Sequence, residues 1–185
     1  MLQWLTMPRP VGAYDKASPV TCGELRLAAM DLLARREHSS HELTTKLSRR
    51  FRNRDCDPIL IQQVAMQLLD EGLLSNERFA ASRVRQLTVR GYGPNRIRDD
   101  LRQQRVDGFV SDSMEEVFEA PIDWRAEAEA VYRKKYQGRP ISGDWDARQR
   151  ERARRLRFLQ YRGFDAATSQ ALVNADDQGD PSEWD

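Results

Sequence analysis

The chain has few cysteines and no long apolar run, and these absences exclude several classes of protein. Its two cysteines, Cys22 and Cys56, have no C-x-x-C spacing and indicate neither a disulfide framework nor a zinc site. No apolar run approaches the roughly 18 residues that a membrane helix needs, because charges or prolines interrupt every candidate. Residues 1–20 contain three prolines and no leading basic cluster, unlike a signal peptide. We expect a cytoplasmic protein with a flexible leader at residues 1–21, no cofactor and no metal.

Motifs for catalysis and nucleotide binding are also missing. The sequence has no G-x-x-x-x-G-K-[ST] loop, no G-x-G-x-x-G after a strand and no H-E-x-x-H. His38 and His41 are the only histidines. A nucleophile and base near them would still need an orienting acid, which nearness in sequence does not supply. We therefore predict a protein that is not an enzyme.

The basic and acidic residues are unevenly distributed along the chain. The 30 basic and 29 acidic side chains nearly cancel, but six acids and no base follow Arg162. We expect an acidic tail at residues 176–185. Only four of the 30 basic residues are lysines. Arginine presents a rigid fork that binds phosphate or carboxylate through two hydrogen bonds, so this preference is typical of binding surfaces.

Apolar periodicity and capping signals predict three helices in residues 22–73. Apolar residues recur at spacings of three and four in residues 24–37. Ser39 and Glu42 fit a capping box that begins a second helix, which runs to about Arg52. A third helix begins at Asp57-Pro58, where an N-cap precedes a first-turn proline, and it ends at Gly72.

The same pattern recurs further along the chain. An offset of 54 residues pairs seven positions of the first helices with later ones, and a further offset of 72 pairs Arg90-Gly91-Tyr92 with Arg162-Gly163-Phe164. The second offset pairs Ile97 with Ser169, so the third unit has diverged. Further helices are predicted from Ser75, Pro94 and Asp112, over residues 123–137, and after Trp145.

The fold predicted from these patterns is all-α. No segment shows the alternating pattern of a strand. We expect about nine helices in an elongated array of three tandem three-helix repeats, at residues 22–73, 74–120 and 121–175.

Arginines recur at helical spacing in two of the predicted helices. Arg98, Arg102 and Arg105 follow one another at i, i+4 and i+7, and Arg148, Arg152 and Arg155 repeat that spacing. These arginines are either a solvated face paired with acids of neighbouring units or an electropositive surface for an acidic partner. A nucleic acid, a nucleoprotein or an acidic protein groove would each fit the second alternative.

Several ordered motifs resemble the RecX family of bacterial regulatory proteins. They are Leu32-Leu33-Ala34-Arg35-Arg36-Glu37-His38-Ser39 with Glu42-Leu43 and Lys46-Leu47, Arg90-Gly91-Tyr92-Gly93-Pro94 with Arg96-Ile97 and Leu101, Ile122-Asp123-Trp124, Arg157-Phe158-Leu159, and Arg162-Gly163-Phe164. The resemblance runs from about Glu24 to Ala175. Arg105 departs from it, because the family usually has a glycine there, and this leaves the end of that helix open.

The resemblance implies a non-enzymatic regulator that binds RecA and its filament on DNA. Members of the family limit filament extension or promote disassembly, and so reduce ATPase, strand exchange and coprotease activity in recombinational repair and the SOS response. We expect a monomer that needs no membrane and binds bare DNA only weakly. The alternative is a helical protein that binds nucleic acid directly and competes for DNA.

The candidate binding residues for the filament are eight arginines. We expect them to form one basic, partner-facing surface; they are Arg90, Arg96, Arg98, Arg102, Arg148, Arg152, Arg154 and Arg155.

Overall fold

The computed structural model describes residues 18–109 and 122–177, and within these ranges every regular element is helical. Eight α-helices and one short 3-10 helix at Asp107–Phe109 are present, and the described residues contain no strand. The helices are α1 Cys22–Leu33, α2 Ser40–Arg50, α3 Pro58–Asp70, α4 Asn76–Val89, α5 Pro94–Gln103, α6 Trp124–Tyr136, α7 Trp145–Arg162 and α8 Ala166–Asp176. The all-α prediction is confirmed. The helix predicted from Asp112 lies outside the described residues.

The chain divides after Leu74 into two compact units. The first contains α1, α2 and α3 around a single apolar cluster, in which Leu25, Leu43, Leu47 and Leu68 are completely buried. The second contains α4 to α8, with one cluster on α4 and α5 and another on α6, α7 and α8. Trp124 packs against both clusters of the second unit. The predicted boundaries of three repeats stay a prediction.

Side-chain caps begin the helices of the first unit. Ser39 Oγ accepts a hydrogen bond from the Glu42 backbone N–H at 3.0 Å, as predicted, and Asp57 caps α3. A reciprocal capping box is present at Thr21 and Glu24, where the Thr21 N–H donates to the Glu24 carboxylate at 2.9 Å. That box was not predicted. Such caps satisfy backbone donors that a helix start leaves without partners.

The first helix is shorter than predicted, because α1 ends at Leu33 and not near Glu37. The chain turns at residues 34–36, where the Arg36 carbonyl accepts from the buried His38 ring at 2.9 Å. That carbonyl is therefore engaged by a side chain, and the backbone is free to turn into α2. The last residue of the apolar stripe is Leu33, where α1 ends, so no residue of that stripe supports the predicted extension to Glu37.

The sequence repeat has a local structural counterpart in both units. The N-caps of α2, α5 and α8 are Ser39, Gly93 and Asp165, which the two sequence offsets pair with one another. The equivalent inward positions are all buried; they are Leu43, Ile97 and Ser169, and then Leu47, Leu101 and Val173. Ser169 remains compatible with burial because its hydroxyl donates to the Asp165 carbonyl at 2.7 Å. This correspondence supports an internal repeat.

In the second unit, backbone hydrogen bonds join the turn before α5 to the turn after α7, and these two turns occupy equivalent positions in the repeat. The Gly93 N–H donates to the Arg162 carbonyl at 2.8 Å, and the Asn95 N–H donates to the Gly163 carbonyl at 3.0 Å. A Cβ on Gly93 would lie 2.7 Å from the Gly163 oxygen, and one on Gly163 would overlap with Arg96. Both glycines are therefore needed for the turns to approach this closely. We call this contact the glycine junction.

Arg105 occupies a left-handed position at the end of α5, with φ of 55°. Its N–H donates to the Arg102 carbonyl, and the Val106 N–H donates to the Leu101 carbonyl. This pair of bonds is the Schellman motif, in which glycine is the preferred left-handed residue. The end of α5 therefore has the left-handed conformation that glycine favours, although the residue at that position is Arg105.

Replacing Gly93 with alanine tests the glycine junction. Gly93 has φ of −86°, which alanine adopts without strain, so a loss of stability would come from the contact with Gly163. We expect G93A to lower the free energy of unfolding by about 2–3 kcal/mol, measured by urea unfolding. G108A is the control, since a Cβ there meets nothing within 4 Å. If G93A and G108A lowered the free energy of unfolding equally, the close approach of Gly93 to Gly163 would not be the cause of the loss.

Replacing Arg105 with glycine should stabilise the protein. The left-handed conformation costs an ordinary L-residue about 1–2 kcal/mol, part of which the greater freedom of glycine in the unfolded chain offsets. We expect R105G to raise the free energy of unfolding by about 0.5–1 kcal/mol, measured by urea unfolding. R102G, inside α5, should instead lower it by about 1 kcal/mol. A destabilised R105G would show that the arginine side chain supports the helix end.

Candidate partner-binding surface

The structure separates the eight predicted arginines into two groups. Three of them, on α7, are held by acids at the end of α8. Arg148 and Arg152 both bind the Asp177 carboxylate, and Arg152 also donates to the Asn174 side chain at 2.7 Å. Their side chains keep 29% and 23% of their exposure. These contacts fix α7 against α8, and the role of Arg148 and Arg152 in a partner-facing surface stays a prediction.

Arg155 is an interior residue, and its placement on a partner-facing surface was wrong. Only 3% of it is exposed. Its guanidinium binds Glu151 at 3.0 Å and Asp176 at 2.8 Å, and donates to the Tyr132 hydroxyl at 3.0 Å and the Arg139 carbonyl at 2.9 Å. Burial, and then a hydrogen bond to Asp176, raises the pKa of Tyr132 well above its usual range. Arg155 therefore joins α6, α7 and α8 from within.

The other five arginines are exposed; they are Arg90, Arg96, Arg98, Arg102 and Arg154. We call these five the exposed arginine set. Arg98 and Arg102 lie one turn apart on the same face of α5. Arg98 donates to the Asn95 side chain at 2.9 Å, and Arg102 pairs with Asp99 at 2.9 Å while 66% of its side chain stays exposed. Such exposed pairs contribute about 0–1 kcal/mol, so a partner can replace them at little cost.

Arg96 lies on the other flank of the buried stripe of α5, towards α7. Its guanidinium carbon is 5.9 Å from the centre of the Tyr161 ring, and Tyr161 is 70% exposed. Arg154, on α7, has a long contact of 3.4 Å to Glu151, and 68% of its side chain is exposed. The exposed arginine set therefore lies on several faces of the second unit.

A basic cleft next to Arg90 was not predicted from the sequence. It has a volume of about 430 Å³ between the end of α4, the middle of α6 and the end of α7, and three further cations line it, Lys134, Lys135 and Arg162. The signal was present, since Lys134-Lys135 contains half of the lysines in the chain. Helical spacing could not connect these residues with Arg90, because they come from three different helices.

The buried histidine of the first unit, His38, is held by the fold through both of its ring nitrogens. His38 is 1% exposed, and its Nδ1 lies 2.9 Å from the Arg36 carbonyl and its Nε2 3.0 Å from Lys46 Nζ. Since the ammonium can only donate, Nε2 accepts and Nδ1 carries the proton. Burial lowers the pKa of His38. Both ring nitrogens are therefore occupied, and neither is available as a base for a substrate.

Residues 18–109 and 122–177 contain neither a metal cluster nor a membrane-spanning helix. No group of three or more His, Cys, Asp or Glu side chains there could hold a metal ion. Over the same residues, no helix combines the length and apolar character needed to cross a bilayer.

Comparison with known proteins identifies close sequence relatives. Residues 75–112 match the family model described as RecX, second three-helix domain. A regulatory protein RecX from Pseudomonas fluorescens strain SBW25 is 41% identical over 160 residues, covering 84% of this chain and 94% of the relative. A regulatory protein RecX from Halorhodospira halophila is also 41% identical, over 157 residues, covering 84% of this chain and 90% of the relative.

Solved structures show the same fold. The crystal structure of RecX from Lactobacillus salivarius superposes with a TM-score of 0.60 at 15% identity, covering 83% of this chain and 95% of that one. A second crystal structure of regulatory protein RecX also gives a TM-score of 0.60, at 18% identity, with 83% and 73% covered. At these identities the likeness supports the fold alone.

Replacing Arg155 with methionine tests its interior role. The substitution keeps an aliphatic side chain but leaves Glu151, Asp176 and Tyr132 without their shared partner. We expect R155M to lower the free energy of unfolding by about 3 kcal/mol, measured by urea unfolding. R154M changes the neighbouring, largely exposed arginine and should cost less than about 0.5 kcal/mol. If both variants were equally stable, Arg155 would not be the link between the three helices.

Proposed function

The chain belongs to the RecX family of regulatory proteins, and from this membership and the exposed arginine set we propose that it binds RecA and the RecA filament on DNA. It acts without catalysis and inhibits filament extension, together with the ATPase, strand exchange and coprotease activities of the filament. The observation that carries this proposal is the 41% identity to RecX regulatory proteins over 84% of the chain.

The exposed arginine set supplies the charge for an encounter with an acidic nucleoprotein. Arg98 and Arg102 point away from the buried side of α5, whose Ile97 and Leu101 are fully buried. Exposed charges of this kind accelerate association and make it sensitive to salt. They contribute less to specificity, which requires contacts that exclude water.

Exposed apolar side chains near these arginines are candidates for the specific contacts. Tyr161 is 70% exposed beside Arg96, and Val89 is 89% exposed immediately before Arg90. Tyrosine and arginine are enriched among the residues that dominate binding energy at protein interfaces. We therefore place the partner-binding surface on the second unit, in the turn between α4 and α5 and along α5 and α7. The protein acts as a monomer in the cytoplasm, where RecA and DNA are present.

Reversing two charges on α5 tests this assignment. We expect R98E/R102E to raise the concentration that half-inhibits the ATPase of RecA on single-stranded DNA by about tenfold, because attraction becomes repulsion at that surface. The control is R49E/R52E, which makes the same change in net charge at two exposed arginines of the first unit. Both variants should keep their helical content by circular dichroism.

The same titration separates filament binding from competition for DNA. A filament binder binds bare single-stranded DNA weakly, and its inhibition does not diminish when DNA is added in excess of RecA's needs. A competitor for DNA binds bare DNA tightly with a steep salt dependence, and excess DNA relieves its inhibition. Relief by DNA would contradict the proposal. If the folded R98E/R102E variant inhibited the ATPase as strongly as the unsubstituted protein, Arg98 and Arg102 would not belong to the binding surface.

A further inference from the structure

The basic cleft between α4, α6 and α7 combines cations with apolar residues. Four cations surround it, Arg90, Lys134, Lys135 and Arg162, and Glu127 is the only acid in its lining. Among the described residues, Lys134 and Lys135 make no ion pair, and both are exposed. The cleft therefore carries an excess of positive charge that the fold itself does not neutralise.

Part of the cleft lining is apolar, and we call this part the apolar floor. Val89, Ala130, Val131 and Phe158 line the cleft together with the cations. Val89 is 89% exposed, so this apolar surface is open to solvent. Covering exposed aliphatic surface favours binding. A ligand that brings only negative charge would leave that contribution unused.

The cleft is held in shape by the surrounding backbone. Arg162 Nη1 donates to the Arg90 carbonyl at 2.7 Å and its guanidinium carbon lies 5.1 Å from the centre of the Tyr92 ring. Gly91 has φ of 74°, and a Cβ there would lie only 2.7 Å from Val131. Because the α4 turn rests directly on α6, the cations and the apolar floor keep fixed positions relative to each other. A preformed site loses less entropy when it binds a ligand.

From this arrangement we propose that the cleft is a docking site for an acidic peptide segment of a partner protein, with carboxylates on the four cations and an aliphatic side chain on the apolar floor. The volume of about 430 Å³ lies in the range of pockets that bind small ligands. It therefore accommodates a short segment and not a folded domain. The cleft shares Val89 and Arg90 with the surface proposed for RecA, but the proposed function does not depend on Lys134 or Lys135.

A peptide fits the cleft better than a nucleic-acid strand does. Sites for single strands combine basic residues with exposed aromatic rings on which bases stack. The aromatic ring in this cleft is Phe158, and cations already lie near it, with Lys135 Nζ at 5.8 Å and the Arg162 guanidinium carbon at 5.4 Å from its centre. The remaining floor is aliphatic and offers no stacking surface. Carboxylates with an aliphatic side chain use both parts of the lining.

The test uses the full chain and a fluorescein-labelled peptide of about ten residues, in which Asp and Glu flank two Leu. Fluorescence anisotropy measures its affinity. We expect K134E/K135E to weaken binding by at least about tenfold and V89S by about threefold to fivefold. R125E/R150E makes the same change in net charge at two exposed arginines outside the cleft, and it should change the affinity by less than about twofold.

Four outcomes would overturn the proposal. Equal weakening by K134E/K135E and R125E/R150E would show that the peptide responds to overall charge and not to a site. If V89S bound the peptide as tightly as the unsubstituted protein does, the peptide would make no apolar contact with Val89. Displacement of the peptide by a thymidine oligonucleotide at a lower concentration than by unlabelled peptide would assign the cleft to nucleic acid. A rise in affinity of more than about tenfold when residues 178–185 are deleted would assign it to the chain's own acidic tail. Since RecA is absent from this assay, its result does not decide the proposed function.

Discussion

The second unit depends on the backbone contact between two glycine turns. The Gly93 N–H reaches the Arg162 carbonyl, and a side chain on Gly93 or Gly163 would separate the two turns. This contact places the start of α5 against the end of α7. It thereby sets Arg96 over Tyr161 and brings Arg162 to the Arg90 carbonyl. The surface proposed for partner binding and the walls of the basic cleft follow from one pair of closely approaching turns.

The high arginine content serves two separate purposes in this fold. Arg155, with Arg148 and Arg152, ties α7 to the acids at the end of α8, and its removal would leave carboxylates without partners. The exposed arginine set makes only weak internal contacts and is available for an acidic partner. A strongly basic helix such as α7 is therefore tolerated because about half of its charge is compensated internally and the rest is solvated.

Local patterns predicted the local structure well. The N-caps Ser39, Asp57 and Ser75 and the helix from Pro94 were all predicted from short-range signals that act within one turn. The end of α1 was wrong, because it depends on where the His38 ring lies. The exposure of the eight arginines was predicted only in part, because helical spacing does not show where Asp176 and Asp177 will fold. For the same reason Arg155 was assigned to the surface, and the cleft formed by three distant segments was missed.

The central claim is that the second unit, and not bare DNA affinity, brings this chain to the RecA filament. Hydrogen–deuterium exchange of the full chain tests it most directly, with RecA on single-stranded DNA and, separately, with the same DNA alone. We expect added protection in α5 and in the turn between α4 and α5 when the filament is present, and little with DNA alone. Equal protection by DNA alone, or protection confined to α1, α2 and α3, would contradict it.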